Sequence, residues 1–309
     1  MLIGKPASEV QVYGTLRAPD DRPRSQWLVS VHVGSLVKHL RVYGPREFRQ
    51  GFFGGWRLSA PVPTRAVALD YRHAFDGHFL PTDATDPATQ TLYHPANPAG
   101  CGWLPSRADY KRLPKALVKR LKRRILDVTR LPAPQLEDPT APVTSPFSRV
   151  APTSLGPIAP WWSPRVDYQG TFDADWEAHH APGWPADFDH RYYHAAPADL
   201  IADGYLRGDE PVVLINCLPD SQPIAIGERW LFRHRTRLPG IALRALSEHA
   251  SGRRGDSPLA LDTLGIDLDR GELSLTWRVL FAPDDPLTQV RLRRLPLAHA
   301  TAPEVAHVG

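Results

Sequence analysis

Prolines cut this chain into pieces too short for a helical fold. There are 33 in 309 residues, about twice the usual share, and each removes a backbone donor and fixes φ. Between them, apolar residues run in short alternating stretches, the pattern of half-buried strands. The predicted class is mainly β: a twisted antiparallel β-sandwich-like fold with long Pro-rich loops and one basic amphipathic helix. No regular repeat is present.

Val10, Val12 and Leu16 open a first strand. Trp27, Val29, Val31 and Val33 then alternate with Leu28, Ser30 and His32, Gly34-Ser35 supplies a two-residue turn, and Leu36, Leu40 and Val42 line the returning strand. This predicts a hairpin over 27–43. Residues 44–65, with Gly51, Gly54 and Gly55, read as loop, and the glycine order is not that of a phosphate cradle. A short strand is expected at 66–71 and a turn-rich stretch at 81–106, anchored by Trp103. Val212–Leu218 reads as a buried strand and Trp230–Arg237 as another. Residues 241–258 read as polar and irregular, 261–281 as a second hairpin, and 289–295 as an edge strand whose arginines oppose sheet-to-sheet aggregation. The tail after Pro296 is expected to fray.

Leu113, Leu117, Leu121, Ile125 and Val128 make a stripe at helical spacing. Residues 111–130 hold nine Lys/Arg against one acid, Asp127. Elsewhere 28 basic residues face 32 acids, so the body is mildly acidic and by charge no nucleic-acid binder. The basic segment is either a solvated helix packed by its leucines or a docking face for an acidic partner or anionic surface. Its Lys119, Arg120 and Arg123 are the candidate partner contacts. Residues 131–164 contain nine prolines, a stiff extended connection. It is the candidate subdomain boundary within a single domain spanning 1–309.

Two cysteines, Cys101 and Cys217, are too few for a disulfide framework, and Cys217 in VVLINCL reads as a buried thiol. No run of about 18 apolar residues exists, so no membrane span is expected. The opening MLIGKPASEV lacks a signal pattern, so a soluble cytoplasmic protein is expected.

The densest chemistry lies between Trp161 and Glu210. Four of the nine tryptophans occur there, with Asp167, Asp173, Asp175, Asp187, Asp189 and four His among prolines and glycines. Three readings stand. One is a structural knot of aromatic bodies and Asp-capped turns. Another is a metal-dependent hydrolytic site in 173–194, because His190 and His194 are four apart beside Asp187 and Asp189. The third is a Trp-lined surface for a partner or a sugar. No nucleophile elbow, P-loop, zinc Cys pattern or EF-hand loop is present.

WWSPRVDYQGTFDADW, GWPADFDHRYYHAAPADL and LRGDEPVVLINCLPDS resemble the signature of a bacterial family long catalogued as a domain of unknown function. Its genes lie beside type VI secretion genes. Its studied members are adaptor chaperones that load PAAR-tipped toxic effectors onto the secretion spike. Further blocks follow in order: GKPASEVQVYGTLRAP, with Glu9 where Asp is usual; LDYRHAFDG, with Asp76 where the family has Gly; HPANPAGCGW; LPAPQLEDP; and LDTLGIDLDRGELSLTWRVLF. The basic helix looks like an insertion between two of these. The resemblance implies a non-enzymatic cytoplasmic adaptor with an effector and a spike protein as partners, and no catalytic, cofactor or metal residue. Its motif residues fall on Arg165, Gly170, Thr171, Asp173, Trp176, Pro185, Asp187, Phe188, Asp189, Pro197 and Gly208. Arg165 and the aspartates are expected to tie loops together, with Trp176 and Phe188 plugging them into the core.

Overall fold

The hairpin expected at 27–43 is the middle of the largest sheet. β3 (Gln26–Val33) and β4 (Leu36–Tyr43) pair from Val33↔Leu36 out to Gln26↔Tyr43. Around them the order is β11 (Leu136–Glu137), β4, β3, β12 (Pro211–Ile215), β14 (Arg229–Arg237), β13 (Gln222–Ile226), antiparallel throughout. The computed structural model describes residues 4–52, 54–77, 96–111, 115–116, 118–119, 128–218, 221–226, 229–282 and 284–296.

One face of this sheet buries Trp27, Val29, Val31, Val33, Leu40, Val42, Val212 and Leu214. A second sheet, β1 (Glu9–Tyr13), β17 (Ala260–Asp267), β18 (Glu272–Arg278), adds Val10, Val12, Leu264 and Ile266 to the same core. A fully buried Val or Leu is worth about 1.5–3 kcal/mol, so this shared core fixes the two sheets against each other. Two sheets on one core match the expected sandwich. The second sheet is mixed, however, not purely antiparallel. β1 runs parallel to β17, from Glu9↔Thr263 to Tyr13↔Asp267. A parallel partner needs a long crossover, and here the crossover is most of the chain.

Two regions differ from expectation. Within 44–65, β5 (Glu47–Gln50) pairs on one side with β6 (Trp56–Leu58) and on the other with β10 (Arg130–Pro132). Phe48 is fully buried there with Phe75, Ala133 and Val143; strands this short carry too few alternations to stand out from a Gly-rich sequence. The stretch 241–258 is likewise ordered, as β15 (Ile241–His249) and β16 (Arg254–Pro258). Its inward positions are Ala245, Ser247 and His249, small or polar residues that mask the alternation. β19 (Leu287–Pro296) is an edge strand beside β15, as expected.

Among the described residues two further pairs complete the strands: β2 (Thr15–Arg17) with β7 (Ala66–Ala68), and β8 (Phe75–Asp76) parallel to β9 (Cys101–Gly102). The Pro-rich connection is pinned to the body. Gln135 N–H donates to His73 O (2.8 Å), Val12 N–H donates to Leu155 O (3.2 Å), and Leu155 lies in the main core. Cys217 is buried in that core, as expected. Of the basic helix, Lys115, Ala116, Val118 and Lys119 are helical, while Arg120 and Arg123 lie outside the described residues. Among the described residues no helix is long and apolar enough to cross a membrane.

Candidate functional site

Proline and glycine leave the 158–210 block no long element, so its turns are closed by side chains. Asp173 caps the short helix Ala174–His179 by accepting from Trp176 N–H at 3.0 Å. Asp189 does the same for the single turn His190–Tyr193, accepting from Arg191 N–H (2.8 Å) and from Arg191 Nε (2.7 Å). Arg191 and the N–H bond hold the Asp189 carboxyl below its usual range. Asp187 reaches back across the loop: it accepts from Thr171 N–H at 2.9 Å and from Thr171 Oγ1 at 2.8 Å. Gly170 makes that approach feasible. Its φ is +78°, and a Cβ there would sit 2.5 Å from Asp187 Oδ1. Arg165 donates through Nε to Tyr192 O (3.0 Å) and through Nη1 to Ile158 O (2.8 Å).

The aromatic residues pack mainly on one another. Trp184 stacks on Phe188, with centroids 4.3 Å apart and 16° between planes, and Phe172 lies edge-on to Trp176 at 4.9 Å. Trp176 Nε1 donates to Gly183 O and Trp184 Nε1 to Tyr193 Oη, each at 2.9 Å. Trp176 and Phe188 are half-buried and belong to none of the three core clusters. They plug a satellite cluster, not the main core as expected. Trp161 is 72% exposed. Pro197 is buried and its carbonyl accepts from Leu200 N–H at 2.8 Å, closing the turn that aims Asp199 at Lys38 (2.8 Å). Gly208 adopts φ +90°.

The block is latched to the body by Glu9, fully buried in β1. Glu9 Oε2 accepts from Ala195 N–H (2.7 Å) and Ala196 N–H (2.9 Å). Glu9 Oε1 meets Lys5 Nζ at 2.6 Å, and the same ammonium lies 2.8 Å from Asp262 Oδ1 and 2.7 Å from Thr263 Oγ1. Arg278 completes the cluster on Asp262. Burial opposes ionisation of Glu9. The His194 imidazole 3.6 Å away, the Lys5 ammonium and the Ala196 amide outweigh it and lower the carboxyl to about 2. Sequence reasoning passed over this cluster, although Lys5, Glu9 and Asp262 stand in the blocks that carry the resemblance.

Other block residues act in the same way. Asn97 Nδ2 donates to Tyr71 O and Phe75 O, both at 2.9 Å. Buried Glu137 pairs with Arg46. The residues considered for a metal are engaged separately: His190 Nδ1 lies 3.2 Å from Gly4 O, His179 pairs with Asp175 (3.0 Å), and His194 is buried beneath Glu9. Among the described residues no three His, Cys, Asp or Glu converge as ligands. A cleft of about 450 Å³ opens beside Trp103 and Leu104, with Asp109 and Arg149 in its lining; Asp109 there accepts from Ser106 N–H at 2.6 Å. Lys119 is exposed.

A family described as an uncharacterized protein conserved in bacteria (DUF2169) matches residues 1–278. No curated protein and no solved structure matches the chain.

Proposed function

The chain belongs to the DUF2169 family of uncharacterized bacterial proteins, and from that premise we propose that it is a non-enzymatic adaptor. It binds a type VI secretion effector, or the PAAR-type tip such an effector carries, in the cytoplasm and loads it onto the secretion spike. One observation supports this reading above the others. The motif residues direct their polar atoms at the chain's own backbone and at each other: Lys5 at Glu9 and Asp262, Asp187 at Thr171, Arg165 at Ile158 and Tyr192. A catalyst leaves groups aimed at a reacting atom. A carrier needs a rigid body that loses little freedom on binding, and internal latches of this kind supply one.

The test is co-expression with the proteins encoded beside its gene, followed by size-exclusion chromatography with light scattering. The expected result is a stoichiometric complex with a PAAR-bearing protein, and no turnover of peptide, ester, glycoside or phosphoester substrates by the purified chain. No complex, with near-equimolar zinc or manganese bound, would sink the adaptor reading and return attention to residues 173–194 as a hydrolytic site.

A further inference from the structure

The core takes one face of the six-stranded sheet; the other face has an unusual composition. β3, β4, β12, β13 and β14 contain no Asp or Glu at all. Register places Arg235, Val213, His32 and Val37 in one row across four strands, with Arg233, Ile215, Ser30 and His39 in the next. Leu28, opposite Arg41, is 38% exposed and Val37 40%. Arg235, Arg237 and His39 are exposed. Among the described residues Arg41, Arg233, Arg235 and Arg237 form no ion pair. Of the six strands, only β11 brings a carboxylate to this side: Glu137, opposite Arg41 at the sheet edge, paired with Arg46 and also felt by Arg41.

Aliphatic side chains between uncommitted arginines are the makings of a protein interface. Arginine is enriched at binding hot spots, and apolar contacts around it exclude water. A face of one sign also steers a partner of the other sign and rejects like-charged ones. Single-stranded nucleic acid fits less well. It wants aromatic platforms for its bases, and the rings on this face are already engaged: Tyr43 lies under the Arg46 guanidinium at 3.6 Å, and His32 and His39 meet edge-on with centroids 6.0 Å apart.

We propose that this outer sheet face, between Arg41 and Arg237, is where the loaded protein docks, and that the loaded protein meets it with an apolar centre ringed by Asp and Glu. The assignment rests on the adaptor reading and gives it a surface.

The probe is the PAAR-bearing protein from the co-expression test. The triple reversal Arg233→Glu, Arg235→Glu, Arg237→Glu should weaken its binding at least about a hundredfold, and Val37→Glu about tenfold. Reversal of Arg291 and Arg294 on β19 should leave Kd within about twofold. A wild-type measurement guards against misfolding: diethyl pyrocarbonate should label His39 at least about fivefold more slowly in the complex, with His179 unchanged as the internal reference. Unchanged Kd in the triple variant, or unchanged His39 labelling, overturns the docking face and leaves the adaptor reading standing. If the wild type binds no PAAR-bearing protein, both fall. Should the triple reversal abolish binding of a 20-nucleotide single-stranded RNA while sparing the protein complex, the face serves nucleic acid and the proposal is wrong.

Discussion

Lys5 Nζ lies 2.8 Å from Asp262 Oδ1, so a residue near the start of the chain and one 257 positions later share a buried ion pair. Glu9 is the ammonium's other carboxylate, at 2.6 Å. Through the Glu9 bonds to Ala195 and Ala196, the same cluster holds the aromatic block. Removing one member leaves the others buried and unbalanced.

Glu9→Gln should therefore destabilise the protein by on the order of 3 kcal/mol at pH 7, the value of lowering a carboxyl from 4.5 to about 2. The sign follows from linkage. A depressed folded pKa gives stability that is full above the unfolded value of 4.5 and is lost as pH falls through about 2. The gap between wild type and variant in urea unfolding should thus shrink steadily from pH 5 to pH 2. A gap that stays constant across that range would refute the role given to Glu9.

Asp76 has φ +95° and its neighbour Gly77 φ +103°. The block that this segment resembles has glycine where Asp76 stands, and an L side chain is strained at that φ. Asp76→Gly should raise stability by about 1 kcal/mol. Gly77→Ala should do the reverse and cost more, because its Cβ would lie 2.2 Å from Gly100 O, a backbone atom with no room to yield. Thermal unfolding of the two variants should move in opposite directions.

Asp187→Ala removes the acceptor for both Thr171 groups. Hydrogen exchange at the Thr171 amide should rise at least about tenfold while core amides of β3 and β12 keep their protection, since the latch is local. In the adaptor reading the variant still binds its partner. A uniform rise in exchange across the protein would instead make the latch part of the global fold.

Burial pushes the thiols of Cys101 and Cys217 up to about 12. At pH 8 iodoacetamide should label either residue about a thousandfold more slowly in the native protein than in urea. Rapid native labelling of Cys217 would show that the core around it opens readily.

The two long hairpins were legible because alternation over seven or eight residues and a two- or four-residue turn are local signals. β15 was not, since Ser247 and His249 occupy inward positions where apolar residues would have announced a strand. β5 and β6 were too short to read. Nothing local could reveal β1 beside β17. In the aromatic block, Asp-capped turns were readable from composition, and Asp173, Asp187 and Asp189 form them. What composition could not give was where the rings go: Trp184 and Phe188 stack on each other, beside the core and not in it. The Lys5 cluster escaped for the same reason as the parallel pair, since its members meet only once the ends of the fold are joined.

The parallel pairing of β1 with β17 also has a cost in time. Glu9 leaves the ribosome early, and its strand partner Thr263 follows about 250 residues later, a delay of roughly 10–50 s at ordinary elongation rates. For that interval Val10 and Val12 have no partner strand and Lys5 lacks Asp262. Contacts of such long range slow folding and lengthen exposure to aggregation. A nascent chain halted before residue 260 should accordingly remain sensitive to protease and be bound by general chaperones. Assembly of this protein is completed from the last strands back to the first, and a carrier of other proteins would itself begin life needing to be held.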